Sequence, residues 1–559
     1  MSRSEHRGTG DLPQLSERER ALYSKIDEET TRFLRTRYNR VTRWVIADLL
    51  RRSASRTPDK PALVFRDKVL TYHELEAETN RVAHALLDLG LERFDRVAVL
   101  ARNTLHHVLA WLGTAKAGGI YLAVNYLLRG KDIAYCVNHS ESKFFVVEDG
   151  LHGLVAEVCG EMPAVRHFIW SNQGSGADAP EGWIDFDPWC AGQPPAEPGV
   201  VLHIEDPVQM TYTSGTESLP KGVVLTNQSL MAQYMGCILE GEFRQNDVCV
   251  NAMPIFHCAQ RDVFMTPLFW VGATNVLLPV AEVPKILEAI ESHGATLFFA
   301  PPTVWIGMLR HPDFEKRDLS SLKKGYYGAS IMPVEILREI QQRLPSCERL
   351  YNFYGQTELS PYHTLLKPED QLPKAGSAGK SGINMETVLI DEGGNRVDEP
   401  NVPGEICGRG PHAMLMYFKD PDKTEAAMAG GWFHSGDVGV YDEDKYVTVV
   451  DRKKDMVKTG GENVSSREVE EVIYRVPGVS EVAVIGLPHP RWVEAVTAVV
   501  VPKPGEKVEE GAIIAHCRRE LAGFKVPKVV IIAGGLPKTP TGKILKRDLR
   551  NAYADRAKP

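Results

Sequence analysis

From Val41 onward the chain repeats one pattern: a short, almost wholly apolar run followed by a stretch of helical length. Such runs occur at 96–100, 120–124, 144–147, 248–252, 274–278 and 297–300. A strand buried on both faces reads as a continuous apolar run, not as an apolar–polar alternation. The pattern therefore predicts an α/β unit of mostly parallel sheets covered by helices on both faces. Local signals agree. Thr71 and Glu74 have the spacing of a capping box, which opens a helix running to about Leu89. Gly118-Gly119 ends a second helix over 106–116.

The pattern changes at 451–455, Asp-Arg-Lys-Lys-Asp. Beyond it, helices are expected at 468–476 and 513–521, with strands at 482–485, 495–501 and 529–532. That is a small α+β module, and the charged junction before it reads as a pivot. Residues 1–40 read as an extension. Within them 15–38 forms a polar amphipathic helix with Leu22, Ile26, Phe33 and Leu34 on its apolar side, expected to pack weakly. The Gly-, Ala- and Pro-rich segment 171–198 reads as an exposed loop. The division is then a helical extension at 1–40, a large unit at 41–453 and a small mobile unit at 454–559.

Composition narrows the function. The chain has 65 Lys+Arg against 73 Asp+Glu, a net charge of −8, so no global field draws it to nucleic acid. An anionic ligand must be held by local charge. Nine scattered cysteines with no C-x-x-C fit reduced thiols in a cytoplasm better than disulfides or zinc. The N-terminus has no apolar core of a signal peptide, and no apolar window reaches the roughly 18 residues of a membrane span.

The most informative segment is Tyr212-Thr-Ser-Gly-Thr-Glu-Ser-Leu-Pro-Lys-Gly-Val223, which follows a strand-like run. Hydroxyls at Thr213, Ser214, Thr216 and Ser218 can donate to phosphate oxygens. Gly215 and Gly222 let backbone N–H groups approach an anion, and Lys221 adds a fixed charge. It does not satisfy the Walker A pattern. Read alone, it is either a phosphate cradle or a Ser/Thr-rich surface turn.

The segment resembles the signature loop of the acyl-adenylate-forming (AMP-binding, ANL) superfamily, with Glu217 and Ser218 where Thr and Gly are usual. Other boxes follow in that family's order over about 60–550: Lys116-Ala-Gly-Gly-Ile-Tyr121, Pro254-Ile-Phe-His257, Tyr327-Gly-Ala-Ser330, Tyr354-Gly-Gln-Thr-Glu358, His434-Ser-Gly-Asp437, Asp451-Arg452 with Lys458-Thr-Gly-Gly-Glu-Asn463, and Pro537-Lys-Thr-Pro-Thr-Gly-Lys543. The chain is most similar to stand-alone AMP-forming acyl-CoA synthetases.

The resemblance implies a large domain of helix-covered sheets with a small β-barrel-like part, and a smaller mobile α+β domain. It implies two half-reactions. A carboxylate attacks ATP and releases pyrophosphate; CoA then attacks the acyl-adenylate and releases AMP. Thr216 and Glu358 are the implied Mg²⁺ partners. Asp437 would accept the ribose hydroxyls, and Arg452 would hold ribose or phosphate. Tyr354 would stack on adenine, with Gly328, Ala329 and Ser330 along its edge and Asn352 on its amine. Phe353, Gly355 and Thr357 complete that wall. Lys543 would bridge acid and α-phosphate. Lys454 is the implied hinge. Around CoA the resemblance puts Lys458, Gly460, Gly461, Trp492 and Phe524, with Val493 where Gly is usual. Lys453, Lys454, Lys458, Lys525 and Lys528 would supply a local positive field. The acid pocket would include His257, Ala259, Val263, Trp305, Gly328, Phe353, Pro361 and Tyr362. The acid is fatty or aryl; Arg261-Asp262 is either an internal salt bridge or a contact for a polar tail. Alternatives are another acceptor (a carrier-protein thiol, an amine or nitrite) and a silent acyl-nucleotide binder. A homodimer is left open.

Overall fold

The computed structural model describes residues 28–213, 220–330, 332–459, 462–538 and 544–557. Two large sheets carry the fold. In the eight-stranded sheet, strands Arg96–Leu100, Ile120–Ala123, Phe144–Glu148, His167–Ser171 and Pro207–Thr213 pair in parallel. In the nine-stranded sheet, Pro61–Phe65, Val248–Asn251, Thr274–Leu277, Leu297–Phe299, Lys324–Gly328 and Arg349–Gly355 do the same. Antiparallel strands close both edges of the nine-stranded sheet and one edge of the eight-stranded sheet, whose other edge strand, Ile184–Asp185, is parallel. The predicted apolar runs are thus the parallel strands.

Helices Tyr72–Asp88 and Leu105–Ala117 pack between the sheets. They share one core with Leu63 and Phe65 of the nine-stranded sheet and Val97 and Val99 of the eight-stranded sheet. Every residue of Leu105–Ala117 is buried, as a helix covered on all sides must be. Thr71 caps Tyr72–Asp88 in the expected reciprocal box with Glu74. A third sheet of five antiparallel strands spans Glu386–Ile390 to Val447–Arg452 and forms the small β part.

After the turn at 453–456 a separate sheet begins, with Val479–His489 and Val493–Pro502 at its centre and helices Ser466–Tyr474 and Glu510–Glu520 against it. Two expectations change. Segment 171–198 is not loop throughout: Phe186–Ala191 is a helix, because Phe186 is buried and stacks on His106 at 4.2 Å. The extension's helix is described over Glu28–Arg37, where Phe33 and Leu34 are half-buried; Leu22 and Ile26 lie outside the described residues.

Candidate active site

The site lies at the carboxyl ends of parallel strands, where open α/β sheets place their ligands. Pro207–Thr213 leads into the Ser/Thr/Gly loop and Lys221–Thr226 leaves it, with Thr213 paired opposite Lys221. Ser214, Gly215, Thr216 and Ser218 lie outside the described residues, as do Gly460, Gly461 and Lys543.

Lys221 is half-buried, and its ammonium lies 3.9 Å from the centroid of the Tyr417 ring. The Tyr417 hydroxyl donates to Glu358 Oε1 at 3.0 Å. Burial and the nearby Glu358 carboxylate keep that hydroxyl protonated, hence a donor. Tyr417 reaches this place because Met416–Tyr417 pairs with Lys221–Thr226, Tyr417 opposite Val223. Burial lowers the Lys221 pKa, Glu358 opposes that, and the positive charges of Lys423 and Lys454 push it down again. Asp420 partly offsets them, raising the Lys221 pKa and pairing with Lys423.

Asp437 is the second anchor. The Tyr354 hydroxyl donates to its Oδ2 at 2.7 Å, and Arg452 Nε meets its Oδ1 at 2.6 Å. Strand register does this, since Asp437 stands directly opposite Arg452. Burial, then the Asp437 charge, raises the Tyr354 pKa far above its ordinary value. Behind the turn, Glu405 accepts from Gly436 N–H at 3.0 Å and pairs with Lys453 at 2.9 Å. Glu405, Cys407 and His434 lie close enough to suggest a metal centre. Lys453 and His434 both pair with the Glu405 carboxylate, and these contacts brace the turn.

The residues expected along adenine lie on neighbouring strand ends. A Cβ on Gly328 would stand 2.5 Å from Phe353 O, and one on Gly355 would stand 1.7 Å from Pro361 O, so both positions require glycine. Ala329 and Ser330 are exposed beside them, and Ala329 holds a φ of +66°. Asn352 Nδ2 donates to Ser377 O at 3.1 Å, which leaves Oδ1 as its acceptor for an amine. The Thr357 hydroxyl lies 3.3 Å from Cys258 Sγ.

On the acid side, His257 is exposed, and its Nδ1 accepts from Ala259 N–H at 3.1 Å, which directs the ring proton to Nε2. Ala259–Met265 is a π-helix, a widened turn frequent at functional sites. It buries Val263, while Phe353, Pro361 and Tyr362 are buried on the sheet side. Trp305 does not join them. Its ring packs on Phe298, whereas Phe299 faces Phe264 of the π-helix; neighbouring strand residues point to opposite faces. Trp305 is a core residue whose indole N–H donates to Tyr326 O. Arg261 and Asp262 are both 0% exposed and pair at 2.8 Å, so the internal salt bridge is the correct alternative.

In the small module Trp492 stacks on His489 at 4.2 Å, and Phe524 is exposed. Val493 holds a φ of +69° although β-branched, which is strained backbone where the resemblance puts Gly. The expected lysine field is largely neutralised: Lys453 pairs with Glu405, Lys458 with Glu392 and Lys525 with Glu468. Lys528 instead joins Arg518 and Arg556 around a cavity of about 480 Å³ walled by Trp492 and His489. Among the described residues none of those three has an acid partner. Sequence reasoning missed Arg518, Arg556 and Tyr417. Lys454, the expected hinge, is exposed, and its carbonyl accepts from Arg550 at 3.3 Å. Asp451, on the large-unit side, accepts from Ser466 N–H and Ser466 Oγ at 2.7 Å each, at the start of the small module's first helix.

Comparison with known proteins adds to this geometry. Residues 50–418 match the AMP-binding enzyme family, and 468–543 match the AMP-binding enzyme C-terminal domain. An indoleacetate–CoA ligase of Aromatoleum aromaticum is 31% identical over 91% of this chain and 98% of its own length. A long-chain-fatty-acid–CoA ligase of Bacillus subtilis is 30% identical over 90% and 94%. Among solved structures, the anthranilate CoA ligase AuaEII in complex with anthranoyl-AMP superposes with a TM-score of 0.81 at 27% identity, covering 91% of this chain and 97% of that one.

Proposed function

The chain belongs to the AMP-binding enzyme family, and on that premise we propose how its residues divide the work of an acid–thiol ligase. The enzyme activates a carboxylic acid with ATP to an acyl-adenylate and transfers the acyl group to CoA, releasing AMP. The acid needs no general base, since a carboxyl with a pKa of about 4 is ionised at neutral pH. Catalysis is then positioning and charge neutralisation.

The observation that carries the residue assignment is the clasp on Asp437. A buried carboxylate held by Tyr354 and Arg452 is oriented before any ligand arrives, and it accepts hydroxyls as a ribose would offer them. Glu358 presents carboxylate oxygen beside Lys221, a donor of the kind Mg²⁺ prefers. Glu358 and Thr216 would hold that ion, which when bound neutralises phosphate charge. Lys221 holds the polyphosphate. Lys543 crosses from the small module to the reacting carboxylate and α-phosphate.

The boundary falls at Lys454. Rotation there must break the cap that Asp451 gives Ser466, so alternation between half-reactions exchanges one set of contacts for another. Arg518, Lys528 and Arg556 suit the phosphates of CoA, and Trp492 with Phe524 suits its base. Nine unpaired cysteines agree with a cytoplasmic setting, and among the described residues no helix is long and apolar enough to cross a membrane.

The test is a carboxylic-acid panel scored for AMP release with and without CoA. A ligase consumes CoA stoichiometrically with AMP. AMP release that ignores CoA but responds to an amine or a carrier protein would replace the acceptor. No release with any acid would overturn the reading.

A further inference from the structure

The wall behind the acid pocket is a closed set of aromatic rings. Phe264 is 0% exposed, and its ring stacks on Phe299 at 4.5 Å. The same ring meets Tyr326 at 5.1 Å and Phe353 at 6.0 Å, and Phe353 meets Tyr362 at 5.0 Å. Strand pairing keeps these rings on one face. Phe299 stands opposite Tyr326, Tyr326 opposite Tyr351, and Phe353 follows two residues on. The ring of Phe264 thus fills the space between the π-helix and the sheet. Ala259 opens the π-helix that carries Phe264, so a tail entering past the exposed His257 and half-buried Ala259 would meet that ring.

The wall also offers a substrate tail no free charge. Arg261 is fully buried, donating to Asp262 and to Ile255 O at 2.9 Å. Asp262 accepts from Gln209 at 2.9 Å and Tyr234 at 3.1 Å. Glu240 accepts from the Tyr362 hydroxyl and from Ile383 N–H. Each ionic group on these elements is thus held by an internal partner.

We propose that the site selects compact, uncharged acids of the single-ring aryl or short-chain class, with Phe264 on Phe299 as the stop that excludes long alkyl tails. This rests on the ligase reading above. A close-packed interior yields to an inserted chain only by displacing rings from their contacts, which is what makes such a stop selective.

The experiment uses the full-length enzyme with ATP and CoA and measures AMP release for benzoate, phenylacetate, cinnamate, butyrate, hexanoate, laurate, palmitate and succinate. The best aryl or short acid should exceed laurate, palmitate and succinate in kcat/KM by at least about tenfold. Phe264→Leu should shift the profile towards longer acids, by about fourfold for each methylene newly accommodated. Phe299→Leu should do the same and serves if the first variant fails to fold. A wild-type preference for laurate or palmitate, or a folded variant with an unchanged profile, would overturn the stop. A preference for succinate would overturn the uncharged class. Silence with every acid would instead remove the ligase reading, and this inference with it.

Discussion

In the large unit Asp437 is held at 2.7 Å by Tyr354 and at 2.6 Å by Arg452, buried and already oriented. In the small module Arg518, Lys528 and Arg556 stand around an open cavity without acid partners among the described residues. The first arrangement is completed by the fold, while the second leaves its charges around open space. On the proposed function the difference separates two kinds of work. The large unit would pre-organise nucleotide binding with internal contacts. On the proposed reading the small module carries charges that matter only when it faces a ligand, and a pivot at Lys454 would let it face two in turn.

The largest test of this division is Lys543→Ala. Losing a charge aimed at the transition state should lower acyl-adenylate formation by at least about a hundredfold. Thioester formation from supplied acyl-adenylate should stay within about threefold, as read by single-turnover assays of each step. Lys454→Pro comes next. Fixing φ at the pivot should impair one half-reaction about tenfold more than the other; equal loss would argue that the pivot lies elsewhere.

Asp437→Asn keeps the shape of the clasp but removes its charge. Charge-assisted hydrogen bonds contribute about 1.5–3 kcal/mol, so the KM for ATP should rise roughly tenfold to a hundredfold with little change for CoA. An equal effect on both substrates would erase the contrast between the units.

The last test concerns acid stability and not catalysis. His107, His363 and His412, all in the large unit, are kept neutral chiefly by burial, with pKa values lowered to about 4, about 3 and about 4. Their ordinary value is near 6.5, so below that pH the unfolded chain binds protons that the folded one refuses. Stability should be intact above pH ~6.5 and fall by about 1.4 kcal/mol per pH unit for each histidine, until the pH reaches the folded values. Urea midpoints followed by a probe in each unit should show the large unit weakening first. Parallel loss in both would contradict it.

Much of this was legible in the sequence, for physical reasons. Apolar runs predict buried parallel strands directly, and Thr71 with Glu74 predicts its own cap, because those signals are local. The Asp437 turn, the Gly328 and Gly355 positions and Glu358 could be read from boxes of adjacent residues. What escaped depended on distant partners. Tyr417 matters only because its strand pairs with Lys221–Thr226. Lys453, Lys458 and Lys525 look free until Glu405, Glu392 and Glu468 fold onto them. Trp305 lies apart because its helix packs it on Phe298, whose neighbour Phe299 points to the opposite face of the strand. Helix Phe186–Ala191 hides in a Gly- and Pro-rich segment because His106, far away, provides the surface that Phe186 buries against.

The central claim is that the large unit binds ATP and the small module supplies the charge for chemistry. Calorimetric titration of ATP into full-length Lys543→Ala and Asp437→Asn tests it most directly. The account predicts near wild-type affinity for Lys543→Ala and a loss of about tenfold or more for Asp437→Asn. Loss of ATP affinity in Lys543→Ala equal to that in Asp437→Asn would contradict it.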